Sequence, residues 1–178
     1  MGDTFLEYIV KKAPEAKTSL LKVAIILGTV FVCYIGMVFI MSSETLAQFG
    51  SIFLLLICGI VYGAYRLFTS FNLEFEYIVT NGELDVDKII ARRSRKRLCS
   101  LRPVEVEIMA PYNDEYKNQY DRGEFALTVD ASSSKYAKSR WFILADTKKY
   151  GRVRLLWEPT DKMIENMRTY MPRKVMKA

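Results

Sequence analysis

Histidine is absent from all 178 residues. That removes the usual general base, the commonest metal ligand and the side chain that titrates near neutrality. Cysteine is scarce: Cys33, Cys58 and Cys99 are the full set, none in a CxxC, so no disulfide framework or sulfur-rich metal site is expected. Walker, HExxH and GxSxG motifs are missing as well. Charge is missing from residues 23–43 and 45–65, and every charge except Glu44 lies before that stretch or from Arg66 onward. A chain divided in this way is neither a uniform soluble domain nor a disordered polymer. Two apolar stretches are too few for a multi-span transporter. The expectation is a protein with no catalytic residue, no metal site and no cofactor.

What is present is, first, the two apolar runs. Each holds 21 residues, and a helix of that length covers roughly 30 Å, the thickness of the bilayer hydrocarbon. Residues 41–45 leave room only for a tight turn, so the two spans, about 23–43 and 45–66, would be antiparallel. Lys11, Lys12, Lys17 and Lys22 precede the first span, Arg66 follows the second, and the turn carries only Glu44. Flanking basic residues stay cytoplasmic. The expected placement is therefore multi-pass in the cytoplasmic membrane with both termini inside. A cleaved signal peptide is the rival reading, but its apolar core is about 7–15 residues and no second span follows it. A soluble core hairpin would need charges on an outer face, which these runs lack.

Gly28, Gly36, Gly59 and Gly63 lie within the spans, the last two forming a GxxxG. Small residues let helices approach closely in lipid, so packing between the spans or homo-oligomerisation through Gly59 and Gly63 is expected. Ahead of the spans, Phe5, Leu6, Ile9 and Val10 have helical spacing. A short amphipathic helix on the membrane and a frayed terminus both fit residues 1–19. Met1-Gly2 invites a test for myristoylation, which Leu6 fails, because that position requires Ser or Thr.

The remainder, residues 69–178, is long enough for one domain with one core. It carries 21 basic and 16 acidic residues, most of the chain's net charge of +6. Its pattern is mostly of period two. Leu73, Phe75, Tyr77 and Val79 alternate with more polar positions, Asn81-Gly82 marks a hairpin, and Leu84 and Val86 continue on the far side. Further strands are expected at 98–101, 104–108, 125–129, 141–144 and 153–157, with a polar loop at 111–122 and another around Ser132-Ser133-Ser134. Met163, Ile164, Met167, Tyr170 and Met171 then fall on one face of a helix that Thr160 or Asp161 can cap and Pro172 ends.

Seven short antiparallel strands and one C-terminal amphipathic helix resemble a pleckstrin-homology-like (PH-like) domain. In that fold two sheets form a bent barrel and the helix caps an open corner. The two-span hairpin ahead of it is similar to that of bacterial membrane-anchored PH-like proteins, small two-span proteins of Gram-positive bacteria among them. There, segments like 75–84 (FEYIVTNGEL) and 97–101 (RLCSL) occupy the first strands. The likeness covers most of residues 20–172. It departs from eukaryotic PH domains in lacking a tryptophan in the helix: Trp157 stands before it and methionines fill its face. The resemblance implies a binding or scaffolding module rather than an enzyme.

Two segments are candidate sites. Arg92, Arg93, Arg95, Lys96 and Arg97 are five cations in six positions. They read as a contact for anionic lipid head groups, each near-surface charge being worth about 1 kcal/mol, or else as a solvated turn. A nucleic-acid site would interleave aromatic residues, and this run has none. The lipid reading requires that the run not face away from the membrane. Tyr112, Tyr116 and Tyr120 in the long loop are candidates for binding an unidentified protein partner, since tyrosine is enriched at interfaces. The carboxylate pairs Glu74/Glu76 and Glu105/Glu107 alternate with apolar residues, as on the solvent face of a half-buried sheet. A second reading makes the chain an accessory subunit of a larger membrane complex, acting through its spans.

Overall fold

The computed structural model describes residues 4–42 and 44–177, without the side chains of Leu46 and Ala47. Met1-Gly2, and Ser43 of the expected turn, lie outside the described residues. The chain divides into two units: residues 14–72 form one, and residues up to Ala13 join those from Leu73 onward in the other.

The helical unit contains α1 (Ala16–Met41), a single turn α2 (Glu44–Ala47) and α3 (Gly50–Ser70). Two of these helices, α1 and α3, are long and apolar enough to cross a membrane. Neither has a buried residue. The half-buried positions of α1, Thr18, Lys22, Ile25, Thr29, Cys33, Gly36 and Ile40, recur every three or four residues. Gly50, Phe53, Ile57, Gly63, Ala64 and Phe68 give α3 a matching stripe, with Thr69 and Ser70 half-buried at its end, as expected where two helices share one seam. The open end of the pair is tied by Lys22, whose ammonium donates to Asn72 Oδ1 at 2.7 Å and sits 5.0 Å from the Phe68 ring centre. A Cβ added at Gly59 or Gly63 meets nothing within 4 Å. The GxxxG is thus not consumed by close packing inside the hairpin.

Among the described residues the second unit is built on eight strands. Sheet A has the order β1 (Phe5–Lys11), β2 (Leu73–Thr80), β3 (Glu83–Ile90), β4 (Ser94–Leu101), each pair antiparallel. Sheet B has the order β5 (Val106–Pro111), β7 (Trp141–Thr147), β8 (Gly151–Trp157), β6 (Leu127–Asp130). Its β6–β8 pair is parallel. Two corrections follow. The expected barrel of two sheets with seven antiparallel strands has, among the described residues, eight strands in two four-stranded sheets, one holding a parallel pair. The expected N-terminal amphipathic helix is a strand. Residues 5–10 are mostly β-branched or aromatic, and pairing along the whole of β2 decides their state over a short and ambiguous apolar spacing.

The apolar faces of both sheets share one core, with Phe75, Tyr77, Val79, Leu84, Val86, Cys99 and Leu101 from sheet A meeting Ile143, Val153, Leu155 and Trp157 from sheet B. Helix α5 (Asp161–Tyr170) adds Met163 and Met167. Thr160 caps it, its hydroxyl accepting from the Met163 N–H. Trp157, fully buried at the end of β8, meets the Tyr77 ring edge-on at 5.4 Å. The C-terminal tail also packs: the Met109 N–H donates to Lys174 O, and the Met176 N–H to Met109 O, both at 2.8 Å.

Two turns of sheet A differ in cost. Asn81 and Gly82 have φ of 52° and 79°, the left-handed pair a tight hairpin demands. At the other end Ala91 and Arg92, with φ of 53° and 55°, adopt the same conformation without the residues that favour it.

Candidate functional site

The basic run begins in that second turn. Its position in the sheet follows from register. Leu73 is opposite Ile90, and Ile90 opposite Ser94; Lys11 is opposite Glu74, Glu74 opposite Ile89, and Ile89 opposite Arg95. The Lys12 N–H donates to Leu73 O at 2.9 Å. The turn therefore lies at the sheet end where the chain leaves β1 and re-enters β2, the end that carries both connections to the helical unit.

A bulge sets which way the arginines face. Val86 pairs with Cys99 but Asp87 pairs with Arg97, leaving Leu98 as the extra residue of β4. Cys99 and Leu101 face the core. Simple alternation would aim Arg95 and Arg97 there too. The extra residue reverses the parity, and both arginines join the row of Glu76, Asp87 and Ile89 on the opposite face.

On that face the cations meet carboxylates. Arg92 Nε lies 3.2 Å from Glu74, Arg95 Nη2 lies 2.8 Å from Glu76, and Arg97 bonds Asp85 at 2.5 Å and also Asp87. Glu76 and Asp87, opposite one another across β2 and β3, are only 1% and 2% exposed. Glu76 was expected on a solvent face; arginine partners from β4 make its burial tolerable. Burial nevertheless raises the Glu76 pKa above that of an ordinary glutamate, against the pull of Arg95 and reinforced by the neighbouring carboxylates Glu7 and Asp87. Its Oε2 has no hydrogen-bond partner.

The candidate lipid residues thus separate. Arg92, Arg93 and Arg95 come together with Lys11, Glu74, Ser94, Ile9 and Ile89 around an open groove of about 510 Å³. Arg97 sits beside it, held by Asp85 and Asp87. Lys96, opposite Lys88, alternates onto the other face of β4. Sequence reasoning missed Lys11, Ile9 and Ile89, because their only link to the run is strand register. The groove is lined by two isoleucines, four cations, one carboxylate and Ser94. Such a lining suits a small anionic group attached to an apolar stem.

The tyrosine loop is partly ordered by its own packing. A short helix, α4 (Lys117–Asp121), turns Tyr120 inward to 8% exposure. Its ring contacts Tyr112 at 5.0 Å and Phe142 at 5.5 Å, and the Arg154 guanidinium lies 4.5 Å above it. Arg140 covers Tyr112 at 4.7 Å. Tyr112 and Tyr116 are half-buried against the same cluster of Ala110, Phe142, Leu144 and Leu156. The three tyrosines therefore clad one face of sheet B, with Tyr120 wholly inside. Cys99 is a core thiol, its pKa pushed up to about 12 by burial. Among the described residues, no group of three or more acidic or cysteine side chains could hold a metal ion.

Residues 2–177 match the model of a family described as a bacterial PH-like domain, DUF6106. No curated protein and no solved structure matches the chain.

Proposed function

The chain belongs to the DUF6106 family of bacterial PH-like domains, and from that premise we propose a membrane-tethered binding module that meets anionic lipid at the cytoplasmic face. PH-like domains are in general non-catalytic binding modules. The observation that carries the proposal is the pairing of β1 with β2 across the whole of β1. Both flanks of the apolar helices are sewn into one sheet, so both lie on the same side of any bilayer. That requires an even number of crossings, which α1 and α3 supply. It also argues against a cleaved leader, since cleavage after the first apolar run would remove an integral strand. The basic flanks favour the cytoplasm for that shared side, and the groove of Arg92, Arg93, Arg95 and Lys11 is at the sheet end nearest the connectors in the chain.

The test uses the domain closed by design. Lys12 and Leu73 are already hydrogen-bonded neighbours, so an Asn-Gly turn replaces residues 13–72. Arg95 and Arg97 are left intact, because removing them would strand buried carboxylates. Arg92→Gln, Arg93→Gln and Lys11→Gln together are expected to weaken binding to phosphatidylglycerol vesicles on the order of a hundredfold, at about 1 kcal/mol per charge, and to flatten its salt dependence. Unchanged binding by a variant that melts like its parent removes the lipid reading.

A second reading keeps Gly59 and Gly63. Because neither is used for close approach within the hairpin, they leave a surface for another helix, either a second copy or a larger membrane complex. Tyr112 and Tyr116 remain candidates for a protein partner.

A further inference from the structure

Tyr136 is 91% exposed, the most exposed large apolar side chain among the described residues. Its loop is firmly based. The Ser132 N–H donates to Asp130 at 3.0 Å, the Ser133 N–H donates to Glu158, and Arg140 Nε donates to Ala137 O at 3.2 Å. The base is also fastened to a telling place: the Ala13 N–H donates to Ser133 O at 2.8 Å. Ala13 is three residues before the first residue of α1. The loop therefore belongs to the same end of the domain as the basic turn, although the two segments are far apart in sequence.

The tip has a distinct composition. Lys135 and Lys138 flank Tyr136 and are exposed with it, and no carboxylate occurs from residue 131 to 145. A bare aromatic ring with a polar tip, between two lysines, is poorly matched to bulk water and well matched to the head-group layer, where tyrosine and tryptophan concentrate. Lysines beside it add attraction to an anionic surface within a Debye length. By contrast Val104, 80% exposed, lies in the turn after β4, at the far end of sheet A, and has no such setting.

We propose that the loop 132–139 is a second membrane contact, with Tyr136 seated in the head-group layer of an anionic bilayer and Lys135 and Lys138 against its phosphates. The inference rests on the membrane-tethered reading above. With the basic turn it gives the domain two separated points on the surface, which fix its orientation where one point would leave it free to rotate.

Full-length protein is reconstituted in vesicles of phosphatidylcholine and phosphatidylglycerol, with tryptophan placed by Tyr136→Trp or, as the reference within the apolar run, Leu56→Trp. The native Trp141 and Trp157 are core residues, and their signal is subtracted using the unsubstituted protein. Lipid brominated high on the acyl chain is expected to remove on the order of half the emission from position 136, which shifts to the blue, as for an interfacial ring. Lys135→Gln with Lys138→Gln is expected to reduce that quenching in anionic vesicles. If position 56 is quenched while position 136 keeps a water-exposed, unquenched spectrum, the loop contact is overturned and the tether stands. If neither is quenched, the tether itself fails and the loop proposal with it.

Discussion

Gly82 is the residue whose replacement has the most direct consequence. Its φ of +79° is strained for any L side chain, and a Cβ there would stand 2.5 Å from Tyr170 Cβ and 2.8 Å from Cγ on α5. Backbone strain and collision act together, so Gly82→Ala in the turn-closed domain should lower unfolding free energy by about 2 kcal/mol or more, read from urea melts. Ala91 gives the opposite sign. It holds φ of 53° where glycine would be unstrained, so Ala91→Gly should raise stability by up to about 1 kcal/mol. One turn was legible and the other was not, for one reason: Asn-Gly advertises positive φ, and Ala-Arg does not. The strain in the latter coincides with the basic turn, as strain often does at sites that must present a particular side chain.

Among the elements, β4 takes its parity from the bulge. Deleting Leu98 would remove the extra residue and leave Val86 opposite Cys99 and Asp87 opposite Arg97 as a regular ladder, so Arg95 and Arg97 keep their face. A buried unpaired charge costs several kcal/mol, so Arg97→Leu, which strands Asp87, should destabilise the turn-closed domain by that order in urea melts, whereas the Leu98 deletion, which keeps both arginines opposite their partners, should leave it folded by circular dichroism. The first hairpin, the amphipathic α5 and most strands were legible because local period and turn chemistry carry them. β1 was not. Seven residues of mixed spacing take their state from a partner that enters the chain only at Leu73. The parallel β6 and the inward turn of Tyr120 were hidden likewise, since each depends on contacts distant in sequence. The site was half legible: the cations announced themselves, but the buried carboxylates that hold them and the isoleucines of the groove appear only once register is known.

For the whole molecule, the alternation of charge and its absence is the dominant fact. Net charge of +6 with two uncharged runs joins a cationic domain to apolar helices in one chain, and in the membrane topology proposed above the β1–β2 pairing keeps both flanks of those helices on one side. Epitope tags at the N- and C-termini should therefore be inaccessible to antibody on intact cells and both become accessible after permeabilisation. One tag reached from outside would break the even-crossing topology.

The apolar helices interrupt a pair of neighbouring strands, so in the proposed membrane-tethered state the domain is leashed twice, through residues 12–15 and 71–72. A protease that severed the first leash would leave the second intact. One that severed the second would leave the freed body gripping an anchored strand along seven residue pairs. Shedding into solution would take both cuts, or one cut and the peeling away of an entire edge, which makes the tether a lock with two bolts.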